Sequence, residues 1–447
     1  MSEDTIVAVA TPPGTGGISI IRMSGPEAER ILEAVFRRRG KAPLESHRLY
    51  YGHLTENGET VDECMAVLMR APRSYTREDV AELHLHGGAY VVSRGMDLCL
   101  RQGARLAAPG EFTRRAFLNG RIDLSRAEAV MELIAARGAC EHRFAVRQME
   151  GGAATFIRQA SDDLYALQAG LAACIDYPEE ISDEEGAGEL RPGIQKLIRF
   201  LREAVDEKSS RLLENGLRVA LCGRPNVGKS SLLNALLGED RAIVTEIPGT
   251  TRDTLQGEML LDGVRVVLTD TAGLRQTEDP VEKIGVARSE KALREADVRA
   301  LVLDLSEPIT GEETALAGTL GEGDILVLNK ADLPRRLSED ALRKAAPGIP
   351  IVTLLAKEPS TLEPLKQLLR QRTMVSDRMV VAQPRHVEAV LRAVGHLEDA
   401  LRTLDCLTPD VASVDLQAAQ AALGEITGDQ VDEKLLDAVF SRFCVGK

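Results

Sequence analysis

Gly223-Arg224-Pro225-Asn226-Val227-Gly228-Lys229-Ser230 fits the Gly-x4-Gly-Lys-Ser/Thr phosphate loop at every fixed position. Its surroundings meet the same motif's structural needs. Leu217-Arg218-Val219-Ala220-Leu221-Cys222 is a short apolar run that reads as a buried strand, and Ser231-Leu232-Leu233-Asn234-Ala235-Leu236-Leu237 starts a helix. The glycines let backbone N–H groups turn toward phosphate oxygens, and the helix N-terminus adds partial positive charge. Lys229 is expected to reach the β/γ phosphates, and the Ser230 hydroxyl is placed for Mg2+. Asn226, Val227, Gly228 and Ser231 complete the expected phosphate contacts.

Three further segments follow in the order a guanine-nucleotide enzyme requires. Val266-Val267-Leu268-Thr269 reads as a strand leading into Asp270-Thr271-Ala272-Gly273, where Asp270 would hold Mg2+ through water and the Gly273 N–H would sense the γ-phosphate. A second strand, Asp324 to Leu328, leads into Asn329-Lys330-Ala331-Asp332. The Asp332 carboxylate suits the N1 and N2 hydrogens of guanine, a pair adenine lacks, so the site is expected to take GTP and GDP. Between them lies Thr245-Glu246-Ile247-Pro248-Gly249-Thr250-Thr251-Arg252-Asp253. A hydroxyl there must complete the Mg2+ shell, and Thr251 is the candidate. Leu274 occupies the place where Ras-like GTPases carry the water-orienting Gln, so another water-orienting group and another positive charge are required.

A chain of 447 residues is too long for one core and suggests two or three domains. A net charge of -14 makes it a poor non-specific polyanion binder, so a nucleic-acid partner must meet a local basic patch or come through another protein. The seven cysteines are scattered without a Cys-x-x-Cys pair, and no signal peptide is evident, which points to the cytoplasm. No apolar run approaches the ~20 residues of a membrane span, so no membrane partner is expected.

Residues 1 to 118 alternate apolar runs (Thr5 to Ala10, Ile18 to Met23, Val61 to Met69, Val80 to Leu85) with turns, and read as an α+β domain with helices near Pro26 to Arg38 and Val91 to Gln102. In the last strand, period 2 turns Leu83 and Leu85 inward and puts Glu82, His84 and His86 together on the other face. The His-x-His pair lacks a third ligand at metal spacing, which favours a solvated face or small-ligand pocket. Helical periodicity takes over from 119 to 212, with stripes at Ala127, Val130, Ile134 and at Leu164, Leu167, Leu171, Ile175. It resumes from 376 to 447 with Val387, Val390, Leu391, Val394, Leu397, Leu401 and Leu404, then Leu416, Ala419, Leu423 and Ile426. The 213–375 stretch suits one doubly wound α/β unit. The fold expected is therefore multidomain α/β, with the nucleotide domain inserted into a helical bundle.

The chain resembles the bacterial tRNA modification GTPase MnmE (TrmE) family from end to end. The likeness rests on Thr11-Pro12-Pro13-Gly14, Ile20-Ile21-Arg22-Met23-Ser24-Gly25, Pro109-Gly110-Glu111-Phe112, Arg115 to Gly120, Gly249-Thr250-Thr251-Arg252-Asp253, Glu425-Ile426-Thr427-Gly428 and the tail Phe443-Cys444-Val445-Gly446-Lys447. The tail departs from the usual family ending by Val for Ile at 445.

The resemblance implies an N-terminal tetrahydrofolate-binding-like domain (1–118) that forms a homodimer, helical parts at 119–212 and 376–447, and a Ras-like P-loop GTPase domain at 213–375. It implies K+ beside the phosphates, held by Asn226, Thr245, Ile247 and Thr250, with Glu282 orienting the water. A fixed cation there offsets developing charge as an arginine finger would. Folate contacts fall on Arg22, Glu82, Arg121 and Lys447, for a 5-formyl or 5,10-methylene tetrahydrofolate, with Cys444 beside that pocket. Arg121 replaces the family's Lys, which keeps charge and alters geometry. The family works with an FAD-containing partner of the MnmG (GidA) family, as a heterotetramer or larger complex, on the wobble uridine of certain tRNAs. Leu354-Leu355-Ala356-Lys357 replaces the Ser-Ala-Lys usual at the guanine-backing loop. The Ala356 N–H is kept, and the missing hydroxyl predicts a looser loop and modestly weaker nucleotide affinity. The competing expectation is an Era-like switch in ribosome assembly without base chemistry; such proteins carry an RNA-binding module after the G domain, where this chain has helices and a Cys-x-Gly-Lys tail.

Overall fold

A computed structural model describes residues 4–40, 42–177, 183–239, 256–271, 291–375, 380–406 and 409–446. The chain packs as two compact units. One comprises Met1–Met131, Gln148–Asp162 and Gln420–Lys447, the other Glu132–Arg147 and Asp163–Ala419.

In the first unit the described strands are β1 (Ile6–Val9), β2 (Gly16–Ser24), β3 (Phe36–Arg37), β4 (Leu49–Glu56), β5 (Glu59–Met69), β6 (Val80–Gly87) and β7 (Arg105–Leu106). They form one sheet in the order β3-β4-β5-β6-β2-β1-β7. Helices Ala28–Val35 and Ala89–Arg101 cover one face, and the core there takes alternate residues: Ile21 and Met23 from β2, Cys64, Ala66 and Leu68 from β5, Leu83 and Leu85 from β6. The intervening residues Arg22, Glu82 and His84 lie on the other face, as period 2 requires. β4 was not visible in the sequence pattern. Gly52 interrupts it because a Cβ there would sit 2.3 Å from the Arg37 carbonyl of β3.

The helix Leu124–Ala135 corrects one expected stripe. Ala127 is buried, but Val130 is half-buried and Ile134 is 44% exposed. The face that packs is Leu124, Ala127 and Met131, against Leu436, Val439, Phe440 and Phe443. Elsewhere the stripes hold with exceptions at their edges: Leu164 and Leu171 are buried while Ile175 is exposed, and Val387, Val390, Val394 and Leu397 are buried while Leu391 is exposed.

In the second unit β8 (Leu217–Cys222), β9 (Gln256–Leu261), β10 (Val264–Asp270), β11 (Val298–Asp304), β12 (Ile325–Asn329) and β13 (Ile351–Thr353) form a sheet in the order β13-β12-β11-β8-β10-β9. All neighbouring pairs are parallel except β10 with β9. Both faces are buried, which explains the unbroken apolar runs. Val219, Leu221, Ala300, Val302, Ile325 and Val327 face a core shared with Leu232, Leu236, Leu365 and Leu369. Leu301, Leu303, Leu326 and Leu328 face the other core, with Ala317 and Leu342. Val205, between the helices that end at Glu203 and begin at Glu207, pairs in an isolated parallel bridge with Val381, just before the helix Pro384–Cys406.

Candidate functional site

Strands β8 and β10 are neighbours and β12 lies one strand away, beyond β11; all run parallel, and each delivers one motif to the carboxyl edge of the sheet, where ligands of doubly wound sheets bind. After β8 the chain turns at Gly223, whose φ is 134°. A Cβ there would stand 2.3 Å from the Val302 carbonyl of β11, so only glycine fits. Asn226 also has positive φ, 65°, a conformation its short amide side chain tolerates. Helix Lys229–Glu239 then starts, with Leu232 N–H donating to the Gly228 carbonyl at 2.9 Å.

Lys229 is 6% exposed, and its Nζ donates to the carbonyls of Gly223 and Arg224, both at 2.9 Å, so it spans the loop. Burial pulls its pKa below the ordinary lysine value, with the charge of Asp270 opposing. Ser230 Oγ donates to Asp270 Oδ2 at 2.7 Å, joining the loop to the end of β10. Asp270 is 3% exposed, and its Oδ1 is buried with no partner among the described residues. Two oxygens converging with one acceptor unspent suit a hydrated Mg2+. Thr271 ties the same corner to β8 through its hydroxyl, 2.8 Å from the Leu221 carbonyl. Arg224 is committed elsewhere: its guanidinium donates to Glu313 at 2.7 Å and Glu307 at 2.8 Å.

On the base side Asn329 is 2% exposed and acts as a brace. Its Nδ2 donates to the Val227 carbonyl at 2.8 Å, and its Oδ1 accepts from the Ala356 N–H at 3.0 Å, so phosphate loop and base loop are tied through one amide. This brace was not foreseen, since the motif reads Asn329 only as a base contact. Lys330 pairs with Asp304 at 2.5 Å. Burial alone would raise the Asp304 carboxyl, but hydrogen bonds from Lys330 and Ser306 hold it below the ordinary value. Asp332, Asn226, Ser230 and Ser231 are exposed.

A second group of expected residues meets in the first unit. Arg22 Nε donates to Glu82 Oε1 at 2.7 Å across paired strands, and the other Glu82 oxygen lies 3.2 Å from His84 Nε2. Burial would raise the Glu82 carboxyl, yet His84 and Arg22 hold it below the usual carboxylate value. Arg22 Nη1 also donates to the Gly446 carbonyl at 3.4 Å, which brings the C-terminal tail to this pair. The tail passes so close that a Cβ on Gly446, φ 95°, would be 2.3 Å from the Val9 carbonyl. Cys444 is exposed, and its carbonyl accepts from the Gly110 N–H at 3.4 Å. Arg121 lies over the Tyr75 ring at 4.6 Å, and Tyr75 packs on the Phe112 cluster that Arg22 faces at 6.0 Å. His86 pairs with Asp62 and His84 with Glu82, so the two imidazoles serve different carboxylates. No cluster able to hold a metal occurs among the described residues.

Residues 5–121 match the family description "GTP-binding protein TrmE N-terminus", and residues 124–444 match "MnmE helical domain". The tRNA modification GTPase MnmE of Heliobacterium modesticaldum is 45% identical over 466 residues, covering 100% of both chains. That of Listeria welshimeri is 44% identical over 457 residues, again covering 100% of both. This chain belongs to the MnmE family of tRNA modification GTPases. Among solved structures, the FeoB G-domain from Methanococcus jannaschii is 27% identical, covering 35% of this chain and 96% of its own, with a TM-score of 0.27.

Of the residues expected to form sites in this MnmE-family chain, three sets stand out. Val227, Gly228, Lys229, Ser230, Asp270, Thr271, Asn329 and Ala356 are joined by hydrogen bonds or by adjacency in one loop. Arg22 and Glu82 meet, with the tail beside them. Thr245, Glu246, Ile247, Pro248, Gly249, Thr250, Thr251, Ala272, Gly273, Leu274, Glu282 and Lys447 lie outside the described residues. No described helix is long and apolar enough to cross a membrane.

Proposed function

We propose that this chain is a K+-stimulated GTP hydrolase whose cycle drives, with an FAD-containing MnmG-family partner, modification at carbon-5 of the wobble uridine of certain tRNAs. The observation that carries the GTPase half is the Asn329 brace and the Ser230–Asp270 contact, which gather three motifs at one sheet edge. Lys229 and the loop N–H groups hold the phosphates; Ser230 and Thr251 hold Mg2+, with Asp270 acting through water. When bound, the metal offsets charge on the β/γ oxygens. Asp332 and Ala356 read guanine. Asn226, with Thr245, Ile247 and Thr250, holds K+, and Glu282 orients the water that Leu274 cannot. The commitment of Arg224 to two glutamates supports an external cation, because the loop's own arginine is spent.

The Arg22–Glu82 pair beside the tail supports a tetrahydrofolate pocket, completed by Arg121 and Lys447, in a domain that dimerises. A bound folate would supply a one-carbon unit, with Cys444 at the pocket. The domain division at 118, 212 and 375 belongs to the same reading, as does a cytoplasmic location. The test is mass spectrometry of tRNA nucleosides from a strain lacking this protein. Loss of the carbon-5 substituent on wobble uridine is the expected result; unchanged wobble uridines would leave the Era-like switch as the better account.

A further inference from the structure

The loop after β13 presents Ala356, and its neighbour Leu355 stands where GTPases usually carry a serine. The predicted consequence was a loose loop. The structure holds it from six residues away. The Leu355 N–H donates to Thr361 Oγ1 at 3.0 Å, and the Thr361 hydroxyl lies 2.9 Å from the Leu355 carbonyl and 2.7 Å from the Glu358 carbonyl, to either of which it can donate. Thr361 is itself fixed. It ends the short 3-10 turn Pro359–Thr361, its N–H donates to the Glu358 carbonyl at 3.1 Å, and the next side chain, Leu362, is fully buried in the sheet core. On the other side Leu354 is buried in the same core, with its N–H donating to the Leu328 carbonyl at 2.9 Å. Leu355 and Ala356 are thus a short span between two anchors, and Thr361 satisfies the main chain of the first residue in it.

We propose that Thr361 is a positioning residue for guanine selectivity. Its hydroxyl replaces the missing serine as the brace of the loop, and so holds in place the Ala356 N–H, which donates to Asn329 Oδ1 at 3.0 Å and would share that hydrogen with the 6-oxo group of the base in a three-centre bond. This rests on the guanine reading proposed above. The effect should be specific to the base: the phosphate contacts of Lys229 and Ser230 do not pass through Leu355.

The test compares binding of GDP and of 2-aminopurine riboside diphosphate to the full chain. The second ligand lacks the 6-oxo group and the N1 hydrogen, so it gains nothing from Ala356. Thr361→Val keeps the shape and removes the hydroxyl. It should weaken GDP binding by roughly five- to tenfold, the worth of about one hydrogen bond, and leave the 2-aminopurine nucleotide nearly unchanged. Thr361→Ser should restore the GDP preference, and Thr361→Ala, which leaves the turn free of any clash, should lose it as valine does. Equal losses for both nucleotides, or undiminished GDP preference in both Thr361→Val and Thr361→Ala, would overturn the proposal. A wild-type chain without preference for GDP would instead overturn the guanine reading, and this proposal with it.

Discussion

Ser230 Oγ lies 2.7 Å from Asp270 Oδ2, and the remaining oxygen of that carboxylate is buried without a partner among the described residues. A buried acceptor left unspent costs free energy unless something fills its place; Asp270 and Ser230 would hold a hydrated Mg2+, which would supply the missing positive charge. Asp270→Asn keeps the shape and removes the charge. It should weaken Mg2+ affinity by about 10- to 100-fold, the effect of losing an outer partner of a metal. GDP binding in EDTA should be nearly kept. Titration of turnover against Mg2+ measures this, and an unshifted midpoint would show that Asp270 does not serve the metal.

Asn226 is exposed and sits at φ 65°. Turnover should rise strongly with K+ and little with Na+, because Arg224 is paired away and Leu274 supplies no polar group. Alanine at 226 would add backbone strain to loss of the amide, so Asn226→Gly is the cleaner replacement. It should remove most of the K+ response and spare GDP binding, which rests on Lys229, Ser230 and Asp332. Equal rates in KCl and NaCl for the wild-type chain would sink the cation proposal.

How much of this was legible depended on whether the relevant contact was local. The phosphate loop, its strand and its helix were readable because the residue types that mark the motif, Gly223, Gly228, Lys229 and Ser230, all fall within eight consecutive positions. The face of Leu124–Ala135 was not, because Ala127 belongs equally to a stripe with Ile134 and to one with Leu124 and Met131. The choice is made by Phe440 and Phe443, more than three hundred residues away. The Asn329 brace and the Thr361 hydroxyl escaped for a related reason. Each bonds main-chain groups of another segment, and such bonds leave no pattern of residue types.

Asp332 is exposed at the mouth of the base side, where a ligand can reach it. If its carboxylate accepts the N1 and N2 hydrogens of guanine, Asp332→Asn offers a donor instead, and xanthine presents the matching pattern. The variant should prefer XTP over GTP in turnover. Continued preference for GTP would mean that the base is read elsewhere.

The Arg22–Glu82 pair carries a pH signature. Glu82 titrates below the ordinary glutamate value: burial works against this, and His84 and Arg22 outweigh it. A carboxylate depressed in the native state contributes stability that is fully present above the unfolded value and is lost as pH falls through the native one. Glu82→Gln should therefore cost about 1.5–3 kcal/mol at neutral pH, the worth of a hydrogen bond to a charged group. That difference should shrink once the pH drops below about 4.3, where the unfolded glutamate begins to protonate while the native carboxylate is still ionised. Urea unfolding at neutral and acidic pH measures it, and a difference that stays constant with pH would show that the Glu82 carboxyl is not held below its ordinary value in the folded chain.

The last prediction separates two chemistries assigned to different parts of the chain. Glu282 is proposed to orient the hydrolytic water, whereas Cys444 is held near Arg22 by its own backbone, through Gly110, and by the Gly446 carbonyl two residues on. Its thiol is exposed, so it is available to a reaction and not required by packing. Glu282→Ala should lower GTP hydrolysis by ~10^2- to 10^4-fold, as loss of an acid/base or water-orienting group does, with GTP affinity nearly kept. Cys444→Ser should do the opposite: hydrolysis stays near wild type, because no nucleotide motif contains it, while wobble-uridine modification fails in the presence of the flavin partner. Arg22→Ala should resemble Cys444→Ser but recover partly with excess folate, since it would lose binding and not chemistry. GTP turnover and nucleoside analysis on the same three variants decide the matter. If Cys444→Ser modifies tRNA normally, the exposed thiol has no chemical part, and the tail serves the fold through Phe443, Gly446 and the Cys444 carbonyl.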